Sequence, residues 1–238
     1  FKQKTAYEML RSLVGSEMCI RDRMNIELLG WATLWGFIWC QVITHYAVSV
    51  GLHRYFAHKQ FKTSVAHEWG FIILIMIACV RTPIGWIASH RMHHADPEGP
   101  LDPHNYKNIG YWKVALTLWT IPKIPIRFAR DLYDNPRLVW AHKHWKAFLL
   151  TWWVVCFIIS PYFWWAAAAM PFIFAKIGFG MLNILGHWNG FTDGPWMNWI
   201  LGGDGYHKQH HLYPRKLILG KYDLGGKLAN RFWKIEKN

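Results

Sequence analysis

Read for hydropathy, the chain alternates long apolar runs with polar, basic, proline-punctuated segments. The first run, Leu28 to Leu52, contains no Lys, Arg, Asp or Glu, and only Gln41, His45 and small polar groups interrupt it. A membrane-crossing helix needs about 20 apolar residues, so this run predicts one. The second run, Trp69 to Ala88, is broken by Arg81, Pro83 and Gly85. The third begins at Ala147 and reaches about His187, with Pro161, Pro171 and Lys176 inside. It is too long for one crossing and suits two, joined near Ser160-Pro161. The polar segments, Pro97 to Lys146 and everything after Gly202, are candidates for the aqueous face, and no repeat or low-complexity tract is present.

The first 23 residues fit none of these patterns. They are polar, lack amphipathic periodicity, and precede Met24, which reads as a natural start. Without an adequate apolar core they are no signal peptide, and they resemble a translated sequencing adaptor. The expected organisation is a non-native leader over 1–23 and one domain over 24–238.

Composition sharpens the membrane reading. Hydrophobic residues make up 53% of the 238, aromatics 17%, and 17 residues are Trp. Charged residues reach only 17%, yet Lys plus Arg outnumber Asp plus Glu by 27 to 14, for a net charge of +13. A nucleic-acid surface wants its cations on a polar face, whereas here they lie between apolar runs that Trp residues flank, as in membrane proteins. A nucleic-acid partner is therefore not expected. The four cysteines, Cys19, Cys40, Cys79 and Cys156, form no CxxC pair, so neither a thiolate metal site nor a redox dithiol is indicated.

The chemistry lies in the 14 histidines. His53 and His58 form HRYFAH after the first apolar run. His90, His93 and His94 form HRMHH after the second, and His207, His210 and His211 form HKQHH after the third. Residues at i, i+3 and i+4 share a helix face, so each HxxHH can aim three imidazoles at one point. Asn183 and His187 share a face for the same reason. His53 and His58, five apart, lie about 140° around an ideal helix and are expected to straddle a helix end. Imidazole ligates iron, zinc, copper and nickel, and so many neutral nitrogen ligands suit two ions better than one. His45, alone in an apolar run, reads as a packing residue, and His67, His142 and His144 read as solvated.

The clusters must meet, so they lie on one side of the membrane. The Trp69 to Ala88 run then cannot cross once, and is expected to dip in and return or to lie along the interface. A single span before His53 would leave the basic N-terminus on the far side, against the positive-inside tendency. The expectation is that a first span is missing.

At these residues the chain resembles the membrane fatty-acid desaturase family, in particular its acyl-CoA and delta-9 branch. Its HxxxxH, HxxHH and HxxHH boxes stand here in order as His53–His58, His90–His94 and His207–His211. Gly51, Trp86, Asp102-Pro103-His104-Asn105, Asn183 with His187, Gly203-Asp204-Gly205 and Pro214 match as well, so the resemblance covers roughly Trp31 to Lys216. Lys208, and Tyr55-Phe56 inside the first box, depart from the common pattern at positions that are not ligands. The resemblance implies an all-α integral membrane protein whose cytoplasmic helical cap holds a histidine-rich di-metal site. It implies two iron ions held by His53, His58, His90, His93, His94, His187, His207, His210 and His211, with Asn183 reaching one through water. His104 would support the cytoplasmic segment without ligating, while Trp86, Asn105 and Lys107 would meet the substrate.

The implied reaction is oxygen-dependent insertion of a cis double bond, at delta-9, into a saturated acyl chain carried by CoA, acyl-carrier protein or a lipid. Electrons would come from a separate ferredoxin or cytochrome b5, which a basic surface would attract. A related di-iron hydroxylase or ketolase is the nearest alternative. A histidine-rich metal transporter is a weaker one, because it should carry ionisable groups along its spans, not at their ends.

Overall fold

The computed structural model describes residues 25–78, 81–120, 123–201 and 204–235, so the leader assigned to 1–23, together with Cys79 and Gly203, lies outside them. The first helix, α1 (Ile26–Ala57), starts where the Asn25 side chain accepts hydrogen bonds from the Glu27 and Leu28 N–H groups at 3.1 and 3.2 Å. This is the usual way to satisfy the orphan donors of a helix start. The helix is α-helical to Val42 and π-helical from Ile43 to Ala57, so each N–H in the second half reaches one residue further back. Among the described residues, helix α1 and a later helix, α7 (Pro161–Leu185), are long and apolar enough to cross a membrane as single helices. Gly36 lets them approach, since a Cβ there would stand 2.4 Å from Met170 and 3.0 Å from Ala166.

The second apolar run folds as α2 (Val65–Ala78) and α3 (Pro83–Ala95), bent by 88° to one another. A bent pair of this kind forms either a re-entrant segment or a broken span. Thr82 starts α3 by capping Gly85 N–H, and Pro83 occupies the first turn, where its missing N–H costs nothing. Two short helices follow, α4 (Tyr106–Ile109) and α5 (Tyr111–Ala115).

Helix α6 (Pro136–Ile159) differs from expectation. The polar stretch up to Lys146 and the apolar stretch after it form one helix capped by Asn135. Its apolar part, 147–159, is shorter than the roughly 20 residues of a typical crossing, yet α6 carries the chain to the start of α7, where Tyr162 meets Asn25 at the start of α1. The break falls at Ser160-Pro161 as expected, with Ser160 capping the next helix through Tyr162 N–H.

After α7 come α8 (Asn198–Leu201), α9 (His207–Leu212) and α10 (Leu224–Phe232). A two-residue antiparallel ladder, Phe61–Lys62 with Lys234–Ile235, fastens the chain after the first histidine box to its C-terminal segment. Otherwise the described fold is helical. The core gathers the π-helical half of α1 with α2 and α3 around Val50, Leu52, Phe71, Ile75 and Ile87. Gly51 is required there, because a Cβ would lie 2.5 Å from the Phe71 ring. In contrast, Trp31, Trp35, Leu150, Ile158 and Ile173 are exposed along α1, α6 and α7, an apolar outer surface of the kind that lipid covers. Cys40 and Cys156 are buried and free, in keeping with a packing role.

Candidate metal centre

The three boxes converge. His53, His58, His90 and His210 place their candidate ligand atoms within 4.8 Å of one another, and His93, His187, His207 and His211 do the same in a second group. The first box meets because of the π-helix. With i→i+5 bonding, the His58 N–H donates to the His53 carbonyl at 3.1 Å, so residues five apart stack on one face, with ring centroids 4.9 Å apart. The helix ends at Ala57, so the two residues straddle its end as expected, and i→i+5 bonding is what brings their rings together.

Nor does each HxxHH aim at one point. In α3, His90 joins the first group and His93 the second; in α9, His210 joins the first while His207 and His211 join the second. Positions i+3 and i+4 differ by about 100° around a helix of 3.6 residues per turn, an arc wide enough to address two neighbouring centres. His94 belongs to neither quartet and lies between them. Its Nε2 is 2.8 Å from His210 Nε2, and its ring stacks on His211 at 4.5 Å.

The nitrogen spacing has a metal's scale. Facing Nε2 atoms are separated by 3.0 Å (His53–His210), 2.9 Å (His58–His90), 2.8 Å (His187–His207), 3.2 Å (His93–His211) and 3.1 Å (His207–His211). Two imidazoles at right angles on an ion with bonds of about 2.1 Å would stand about 3.0 Å apart.

Carboxylates behind the rings decide the tautomers. His53 Nδ1 donates to Asp204 at 3.1 Å, His93 Nδ1 lies 2.8 Å from Asp102, and His187 Nδ1 lies 3.4 Å from Glu98. A proton held at Nδ1 leaves Nε2 as a bare lone pair and raises its basicity. Lone pairs of several rings then face one another at about 3 Å, an arrangement that a cation satisfies and further hydrogen bonds cannot. Burial, reinforced by neighbouring imidazoles, lowers the pKa of His58, His207, His210 and His211, and that of His187 to about 4. The rings are thus neutral near pH 7, as ligands must be. Burial pushes Asp204 and Asp102 up, but it is outweighed by the hydrogen bond from His53, the Arg54 charge and the Ser49 hydroxyl at Asp204, and by the His93 contact together with the His104 and Glu98 N–H groups at Asp102, so both carboxyls lie below their ordinary range. An all-nitrogen donor set with carboxylates in support fits first-row ions, iron among them.

These carboxylates had no signal of their own in the sequence. Asp102 and Asp204 stood only inside motif strings, and Glu98 stood in none. Arg54, 1% exposed, also escaped notice, although it bridges Asp204 (3.2 Å) and Asp223 (2.9 Å) and so ties the start of α10 to the support of His53.

The other expected residues are placed as follows. Asn183 is buried on α7, its amide donating to the Phe179 carbonyl at 2.7 Å. Trp86 stacks on His90 at 4.8 Å with the planes 13° apart, and it also lines a mostly apolar space shared with Ile43, Val48, Phe174 and Leu182, which Asp204 borders as well. Phe174, Gly178 and Leu201 pass from that space into a second apolar cavity of about 400 Å³ along α7. Asn105 is buried, capping Lys107 N–H and donating to the Glu98 carbonyl, while Lys107 pairs with Glu98 at 2.9 Å. His104 lies behind His93, 5.5 Å between centroids, outside both quartets. His45 Nδ1 bonds the Gln41 carbonyl, as a packing residue would, and His142 is half-buried against Thr82 instead of solvated.

With this geometry in place, comparison with known proteins is direct. Residues 29–216 match the family model described as Fatty acid desaturase. The chain is 26% identical over 197 residues to a (11Z)-hexadec-11-enoyl-CoA conjugase of Bombyx mori, covering 71% of this chain and 58% of that protein. It is 25% identical over 241 residues to an acyl-CoA Delta(11) desaturase of Spodoptera littoralis, covering 88% and 67%. An sn-2 palmitoyl-lipid 9-desaturase of Nostoc sp. (strain 36) is 24% identical over 224 residues, covering 81% and 75%. The chain thus spans under three fifths of some of the curated relatives it matches.

Proposed function

Because the chain belongs to the fatty acid desaturase family, we propose that it is an oxygen-dependent acyl desaturase that inserts a cis double bond, at delta-9, into a saturated chain. The observation that carries this reading is the join between two four-imidazole groups and an apolar space, with Trp86 forming the wall between them. The proposed ligands are the nine histidines named above, with Asn183 reaching one ion through water. Two bound irons would supply the oxidant, drawn from O2, that removes one hydrogen from each of two adjacent methylenes. The balance is one CH2–CH2 unit, O2, two electrons and two protons giving one CH=CH unit and two waters. The electrons would arrive from a ferredoxin or cytochrome b5.

The protein's own part is positional. Asp204 would hold the Nδ1 proton of His53, and Asp102 and Glu98, close to His93 and His187, would favour the same tautomer there, so that Nε2 stays free. Trp86 would hold the chain's reacting segment against the first group and exclude water. Asn105 and Lys107 would serve the polar end of the substrate from the loop that also supplies Glu98. The site would face the cytoplasm, the side on which membrane proteins carry excess Lys and Arg.

Expression in a desaturase-deficient host followed by fatty-acid analysis tests the proposal. New cis-unsaturated chains are expected. A hydroxylated product would replace this reading with the hydroxylase one, and no new product from an iron-loaded protein would overturn it.

A further inference from the structure

Phe179 separates the space beside Trp86 from another cavity, of about 530 Å³, bounded by the α2–α3 bend, α6 and α7. Its lining is different in kind. It contains Arg81, Lys176 and Thr117 among the aromatic walls of Trp119, Phe172 and Phe179, and no carboxylate. The Arg81 guanidinium lies 5.1 Å over the Trp119 ring and donates to the Trp119 carbonyl at 3.3 Å. Lys176 Nζ lies 5.1 Å over the Phe172 ring. Among the described residues neither cation has an acidic partner. The Thr117 hydroxyl is buried with no hydrogen-bond partner, and its backbone sits at φ 52°, a left-handed conformation that is costly for a β-branched residue. The positive end of α3, a helix of 13 residues, opens beside Thr82 in the same cavity.

Two cations without a carboxylate partner and an unpaired hydroxyl face one cavity walled by aromatics, a lining that an anion would complete. Snorkelling does not account for Lys176. That motion would carry Nζ towards the near helix end at Leu185, about 14 Å away at 1.5 Å per residue. The ammonium instead lies against Phe172, one turn in the opposite direction. Beside a helix long and apolar enough to cross a membrane, an anion carried on a bilayer lipid can reach both cations.

We propose that this cavity binds the phosphate of an anionic membrane phospholipid, with Arg81 and Lys176 as its counter-charges and Thr117 as a further donor. Arginine suits a tetrahedral oxyanion because its planar fork can donate twice.

The test is native mass spectrometry of the full chain released from nanodiscs of mixed phosphatidylglycerol and phosphatidylcholine. Preferential retention of phosphatidylglycerol is expected. It should fall about tenfold in Arg81→Gln and again in Lys176→Gln, the size of a lost hydrogen bond to a charged group. Lys176→Arg should keep it, and exposed Lys113→Gln should leave it unchanged. Iron content, read in parallel, reports a fold lost in any variant, and the charge-conserving variant then decides. Equal retention of the two lipids overturns the proposal. So does displacement of the lipid by millimolar inorganic phosphate, which would assign the cavity to a soluble anion, or undiminished retention in the folded double variant.

Discussion

Asp204→Asn isolates the role of a carboxylate that touches no candidate metal position. Its Oδ1 accepts from His53 Nδ1 at 3.1 Å, Ser49 Oγ at 3.1 Å and Arg54 Nη1 at 3.2 Å, all inside the protein. Asparagine keeps the shape but loses the charge that fixes the His53 proton at Nδ1, and its NH2 group can face that proton. Loss of such a supporting partner costs about 10- to 100-fold in metal affinity, or about 1.4 to 2.7 kcal/mol. Fold stability should fall less than for a fully orphaned buried charge, about 3–5 kcal/mol, because Arg54 retains Asp223 at 2.9 Å. The loss should fall on the first group alone, since the second takes its support from Asp102 and Glu98. Iron per protein would be followed by plasma mass spectrometry during a chelator titration, with Mössbauer spectra on the partly stripped sample. Wild type should hold two irons at a chelator concentration where the variant holds one, and the remaining iron should be spectroscopically homogeneous. An unchanged titration would refute the supporting role, and equal loss of both irons would refute its assignment to one group.

His93→Ala should abolish desaturation in the expression host and release one iron, and retained activity would remove that ligand. Gly186→Ala should disrupt the second group, because its Cβ would stand 2.5 Å from the His207 ring and 2.7 Å from the Leu182 carbonyl; overpacking of this kind costs about 1–3 kcal/mol, readable as a lowered Tm and iron content near one. For metal-free protein, stability should fall as pH drops from about 6.5, the value in an unfolded chain, towards the value of about 4 that burial imposes on His187. In that window the unfolded chain binds protons that the folded site refuses, so unfolding gains as pH falls. Thermal unfolding in detergent between pH 7.5 and 4.5 checks the sign, and a Tm that rises with acid would contradict it.

What the sequence made legible was whatever is local. The i, i+3, i+4 spacing announces each HxxHH, and Ser160-Pro161 announces the α6–α7 break because a cap and a proline act on adjacent residues. The pairing of His53 with His58 was not legible, because it depends on a shift to i→i+5 bonding over Ile43–Ala57 that no residue there advertises. Helix α6 was divided at Lys146 because its polar first half continues an apolar second half without any change of backbone. The supporting acids were hidden by distance: Asp204 stands 151 residues from His53, in a loop where side-chain periodicity carries no information.

The division of the boxes between two groups bears on how the site assembles. Had each HxxHH served one centre, a helix could complete a metal site nearly alone, and the two ions would bind independently. Instead α3 gives His90 to one group and His93 to the other, and α9 gives His210 to one and His207 with His211 to the other, with His94 between. Neither group is complete until α3 and α9 are docked against each other, and the first also needs the π-helical end of α1. Docking is fixed from outside the site, by Arg54 joining α1 to Asp204 and Asp223 and by the ladder that returns Lys234–Ile235 to Phe61–Lys62. If both groups hold metal as proposed, the order of these histidines along the chain would make the second metal's binding depend on the geometry that the first requires. That coupling would follow from the spread of i, i+3 and i+4 over about 100° of one helix, which divides its imidazoles between two groups.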